Sequence, residues 1–256
     1  MSRYIVHFWT MGIALLGAMA FTALAVAQTI PPAPSTTRTV LAQTKVRIAG
    51  NRPLYFSAVG VVIPPGETST VSPAADGILY QMSGSTEVAV GGATRTLNAH
   101  EGLFIPAEKR VSLKAGVGIP STLMHFILGR VVDLDRSAAS APATVVEVFR
   151  TPGPIPGLKA GVYDLNLTLV TLPPHTPSNP PHHRSGAALY YILSGTGTNT
   201  VEGKTAAKGV GSVIYEPFGV VHQWGNPGDE PLRFVVFNLN PEGVPAVVPG
   251  ASAKTQ

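Results

Sequence analysis

The chain repeats itself, and the repeat limits its architecture more than any other feature. "VGVVIPPGETSTVSPAADGILYQMSG" (Val59 to Gly84) and "LTLVTLPPHTPSNPPHHRSGAALYYILSG" (Leu167 to Gly195) share one layout. Each has a β-rich run, a Pro-Pro pair, a polar loop and a Tyr-x-(Met/Leu)-Ser-Gly ending. Pro64 aligns with Pro173 at an offset of 109, and Tyr80 with Tyr191 at an offset of 111. The parallel continues through "TEVAVGGATRTLNAHEGLFIPAEKRVSL" and "TNTVEGKTAAKGVGSVIYEPFGVVHQW", where Pro106 matches Pro217, again at 111. A fixed long period means one structural unit built twice.

The unit is β-rich. Only 12% of the 256 residues are charged, while 27 Gly and 24 Pro punctuate the chain. Surface helices need a charged wet face; few charges with many Val, Thr, Gly and Pro favour short strands joined by turns. Alternation at Val201, Val210, Val213 and Tyr215 suits half-buried antiparallel strands. No segment after the first 27 residues shows a long amphipathic helical pattern. The net charge of +4, spread over single Lys and Arg residues, excludes a nucleic-acid footprint.

The N-terminus is a targeting segment. Arg3 precedes an apolar run from Met11 to Val26, closed by the small-x-small sequence Ala25-Val26-Ala27. Residues 1–27 are expected to form a signal helix that is cleaved, and residues 28–40 a Pro-rich linker. The competing reading is a retained membrane anchor. Either way the folded part is exported, to the periplasm or beyond, with no membrane attachment once the signal is cut. There is no cysteine, so a transition-metal site must use His, carboxylate or water.

"GSVIYEPFGVVHQWGN", Gly211 to Asn226, resembles the second motif of the cupin superfamily, G-x5-P-x-G-x2-H-x3-N. Gly211, Pro217, Gly219, His222 and Asn226 fill every fixed position. The resemblance implies an all-β chain of two tandem antiparallel cupin-like barrels (a bicupin of jelly-roll type). The boundaries are a degenerate barrel at 41–135, a linker at 136–145, a barrel with a candidate site at 146–245 and a tail at 246–256. The first cupin motif carries H-x-H and then Glu. Anchoring on "YILSG" puts those three positions at His182, Arg184 and Ala188. In the first copy they fall on Val71, Pro73 and Gly77, with Val111 at the downstream His position. None of these four can ligate a metal.

In the second copy the resemblance implies His182 and His222 as metal ligands, with His183 or His175 as the third. Neighbouring strand residues face opposite ways, so His182 and His183 share a face only across a bulge. The metal would be divalent: Fe, Mn, Ni or Zn. Arg184 argues differently, because its planar fork suits a carboxylate or phosphate. Tyr190, Ile192 and Trp224 share parity with the motif positions and should line the cavity, which makes Arg184, Tyr190 and Trp224 candidate ligand contacts. Asp164 and Glu216 read as isolated carboxylates. Three functions stay open: a metal-dependent oxygenase- or isomerase-type site, a metal-free module binding an organic anion or sugar, and a structural barrel. The resemblance also implies pairing through sheet edges, either between chains as a homodimer or between the two barrels of one chain as an internal pseudo-dimer.

Overall fold

The computed structural model describes residues 35–50, 52–136 and 138–250; the signal segment lies outside them. The first repeat contributes β1 (Thr37–Ile48), β2 (Tyr55–Ile63), β3 (Thr68–Val71), β4 (Asp76–Ser83), β5 (Ser85–Val90), β6 (Ala93–Asn98), β7 (Gly102–Ile105), β8 (Val111–Ala115) and β9 (Ser121–Gly129). A single turn of helix, α1 (Val131–Leu134), follows. Then come β10 (Thr144–Arg150), β11 (Gly161–Leu172), β12 (His182–Arg184), β13 (Ala187–Ser194), β14 (Gly197–Val201), β15 (Lys204–Lys208), β16 (Val213–Glu216), β17 (His222–Gly225), β18 (Leu232–Pro241) and β19 (Val247–Pro249). Among the described residues no helix is long and apolar enough to cross a membrane.

Each repeat closes into two facing antiparallel sheets. The first barrel has the orders β10-β2-β9-β4-β7 and β3-β8-β5-β6; the second has β1-β11-β18-β13-β16 and β15-β14-β17-β12-β19. The sequence boundaries miss one arrangement. β1, at the head of the first copy, pairs along its length with β11 of the second barrel. Reciprocally, β10, which begins inside the expected linker, pairs with β2 of the first. The leading strands are exchanged, and the described residues form one compact unit.

The exchange is accompanied by a shared core. Odd and even residues of a strand face opposite ways. In β13, Leu189 enters a cluster with Phe56, Phe126 and Phe237 that lies between the barrels. Its neighbours Ala188, Tyr190 and Ile192 face the interior of the second barrel. Phe237 touches both Phe56 and Phe126, with ring centroids 5.2 and 5.7 Å apart. Runs such as "ALYYIL" and "FVVF" are apolar on both faces because both faces are covered. The first barrel is filled by Ile63, Leu79, Leu97, Ile105, Leu113 and other aliphatic side chains.

Gly186 is where the backbones come closest. A Cβ there would stand 1.9 Å from the Leu239 carbonyl oxygen. Since that oxygen is backbone, relief requires moving β18. Gly186→Ala is expected to destabilise the protein by about 2–3 kcal/mol or more. An unchanged urea midpoint would show that this packing is looser than described.

Candidate ligand site in the C-terminal barrel

The two motif histidines converge. His182 and His222 are Cα partners across β12 and β17, with ring centroids 4.4 Å apart and the rings edge to face. Each donates Nδ1–H to the carbonyl two residues before it, His182 to Pro180 and His222 to Val220, both at 2.9 Å. That fixes both rings with Nε2 directed away from the backbone. In the first barrel the corresponding partners, 111 residues earlier, are Val71 and Val111.

The motif's other fixed residues are structural. Gly211 and Gly219 take φ of 81° and 73°, where a Cβ is strained. Asn226 is fully buried and donates Nδ2–H bonds to the carbonyls of Leu172, Pro173 and Glu230 at 3.1, 2.9 and 2.8 Å. It clamps the end of β11 to the loop before β18.

Glu216, which reads as isolated in the sequence, stands at the centre of a polar network. Its Cα partner is Ala188, the position where the family motif carries its Glu. A carboxylate thus enters at that level of the barrel from the neighbouring strand. Arg184 donates Nε–H to Glu216 Oε2 at 3.0 Å and an Nη1–H to Asn238 Oδ1 at 3.0 Å. Its Nη2 also donates to the Tyr190 hydroxyl. Trp224 donates Nε1–H to Glu216 Oε1 at 2.9 Å. His222 Nε2 lies 3.0 Å from Glu216 Oε2, without the alignment of a hydrogen bond. Ala188 pairs with Asn238 on its other side, and its one-carbon side chain leaves room for the guanidinium between the two polar partners.

The electrostatics follow from burial and pairing. Burial would raise the Glu216 pKa, but contact with His222 and the Arg184 charge outweigh it and hold the carboxyl at about 2. For Arg184, burial would favour the neutral form; the oxygens of Tyr190 and Glu216 more than offset this and push its pKa up. Burial lowers the pKa of His182 and raises that of Tyr190.

Above this network lies a cavity of about 280 Å³, at the small end for ligand pockets. Tyr190, Trp224 and Phe234 form an aromatic wall, with Tyr190 and Phe234 both stacked against Trp224 at 5.3 and 5.2 Å. His182, Arg184, Asn166, Asn238 and Asn240 line it as well. Asn238 donates to Asn166 Oδ1 at 2.8 Å, while the buried Asn240 Oδ1 has no hydrogen-bond partner among the described residues. His183, between His182 and Arg184 on β12, does not line the cavity. It pairs with Val248 of β19. His175 sits on an exposed turn with its Nε2 3.2 Å from Asp229. Ile192 is packed into the barrel core and is not among the lining residues. Glu216, Asn166, Asn238 and Asn240 carry no sequence signal beyond strand parity with Ala188 and Tyr190.

The second barrel carries a cupin domain: residues 168–238 match the family model described as "Cupin domain". Among solved structures, a single-site variant of oxalate decarboxylase from Bacillus subtilis superposes with a TM-score of 0.55 at 16% identity, covering 84% of this chain and 80% of that one. Another structure of that decarboxylase, concerned with its Mn(II) centres, gives 0.51 at 15% identity over 84% and 80%. A variant of salicylate 1,2-dioxygenase from Pseudoaminobacter salicylatoxidans gives 0.52 at 11% identity over 73% and 70%. At these identities the likeness is one of fold. No curated protein matches the sequence.

Proposed function

We propose that the C-terminal barrel binds a small organic molecule at a site organised by the Arg184–Glu216 ion pair rather than by a metal ion, in a protein exported by its N-terminal segment. The Mn(II) centres of the decarboxylase with the same fold make a divalent cation the first alternative. The donor set here does not fit one. A catalytic metal site takes about three protein ligands and an open position. Two imidazoles, His182 and His222, stand together, only the first of them lining the cavity, and among the described residues no group of three His or carboxylate side chains stands in ligating geometry. Glu216 has each oxygen engaged, one by Arg184 and one by Trp224. A cation placed beside the Arg184 guanidinium would be repelled by it.

The single observation that carries this reading is that buried pair. The ligand it implies has an apolar body for the Tyr190, Trp224 and Phe234 wall. It also has oxygen or nitrogen groups for the remaining N–H groups of Arg184 and for His182, Asn166 and Asn240. Metal analysis tests the reading. Wild-type protein exposed to Mn(II), Fe(II), Ni(II) or Zn(II) and dialysed should retain far less than one ion per chain. Arg184→His should retain close to one, because it adds a third imidazole and frees Glu216. Stoichiometric metal in the wild type would sink the proposal.

A further inference from the structure

The charges around the cavity are unevenly compensated. Its lining includes two arginines, Arg184 and Arg38. Arg184 is buried and neutralised by Glu216. Arg38 is exposed, lies at the mouth on β1 and, among the described residues, makes no ion pair. Among the described residues the cavity therefore holds a balanced pair at its inner end and an arginine without an ion-pair partner at its entrance.

The strand register shows what separates them. Arg38 pairs with Val170, which pairs with Phe234. Asn238, which accepts from Arg184, is four residues further along β18, roughly 13 Å at the usual strand rise. Between them the cavity face of that strand carries Phe234 and Val236, with Val170 beside them on β11. The entrance cation and the inner polar cluster are thus joined by a mainly apolar wall, with Thr168 beside Val236 as its polar member.

We infer that Arg38 is the carboxylate receptor of this site, and that its ligand is a small amphipathic monocarboxylate. The carboxylate sits at the mouth and the apolar body runs inward past Phe234 toward Tyr190 and Trp224. This rests on the reading of the barrel as a small-molecule site. Physical bookkeeping favours this orientation over a carboxylate against Arg184. A second negative charge beside the buried Glu216 would face like-charge repulsion and lose its hydration. At the mouth, an exposed guanidinium offers a two-pronged hydrogen bond while the carboxylate keeps part of its water. The receptor also comes from the exchanged strand, so the N-terminal copy supplies specificity to the C-terminal site.

The test compares acids with their neutral amides. Calorimetric titration of the full-length protein with benzoate, benzamide, hexanoate and hexanamide should show each acid binding about tenfold more tightly than its amide. Arg38→Ala, whose side chain is exposed and whose loss should leave the fold intact, should erase that preference by weakening the acids alone. Arg38→Lys should keep part of it, and added salt should reduce it. Equal binding of acid and amide by the wild type, or an acid preference that survives Arg38→Ala, would overturn the role of Arg38 while leaving the small-molecule site standing. No binding of any of the four would count against both readings.

Discussion

Replacing Arg184 by methionine is expected to cost the fold about 3–5 kcal/mol, the usual penalty for stranding one charge of a buried pair. Methionine keeps the length and apolar stem of the side chain but removes every donor to Glu216, Asn238 and Tyr190. Glu216, 2% exposed, would keep the Trp224 hydrogen bond and the neighbouring His222 ring but lose its countercharge. It then has two costly options: stay ionised without its countercharge, or take up a proton at a pH where the unfolded chain would not. The double variant Arg184→Met, Glu216→Gln removes both charges together and should recover most of the loss, since replacing a whole buried pair is often close to neutral. Urea unfolding of the wild type, the two single variants and the double variant gives the coupling energy directly. A single-variant cost below about 1 kcal/mol, or a double variant as unstable as Arg184→Met, would mean that the pair is not a desolvated, mutually dependent unit.

Acid should unfold the protein in two overlapping stages, and the first comes from the barrel without the ligand site. His125 is buried in the first barrel, with no hydrogen-bond partner for Nε2. A Cβ on Gly77 would stand 2.5 Å from that nitrogen, so the ring occupies the space a side chain at 77 would need. Burial pushes the His125 pKa down to about 4 from an unfolded value near 6.5. A depressed folded pKa means that the unfolded chain binds the proton first as the pH falls. The contribution is therefore complete above pH 6.5 and is lost as the pH drops through about 4, amounting to ~3 kcal/mol. The lowered pKa of His182 acts in the same direction.

The second stage belongs to Glu216, held at about 2 against an ordinary 4.5. Its contribution is complete above pH 4.5 and disappears as the pH falls toward 2. Unfolding free energies measured between pH 7 and pH 3 should decline in both windows. His125→Leu should flatten the stretch from 6.5 to 4, and Glu216→Gln the stretch below 4.5. Stability that is level from pH 7 to pH 4 in the wild type would show that His125 is not held neutral by burial.

Much of the architecture can be read in the chain. The offset of 111 residues becomes register pairs: Gly77 opposite Ile105 and Ile127, and Ala188 opposite Glu216 and Asn238. His222 of the five-point motif and His182, counted back from "YILSG", are strand partners across β12 and β17. What the linear reading misses has a common cause. Glu216 looks isolated because its partners lie 32 residues before it, at Arg184, and eight after it, at Trp224. Nothing local announces Asn238 or Asn166, since an asparagine in an otherwise apolar strand shows neither which face it takes nor what it meets.

Periodicity, turn glycines and motif spacing settle which segments are strands, which face of each is apolar and that the unit occurs twice, because those properties depend on a residue and its near neighbours. The partner chosen by a strand edge is a contest between distant segments. Here it sends β1 and β10 across to the opposite barrel and so brings Arg38 to the mouth of a cavity in the other repeat. The ionic character of the site is of the same kind: a buried arginine is tolerable only where a carboxylate from another strand meets it, and the free energy of that meeting lies in the assembled sheet.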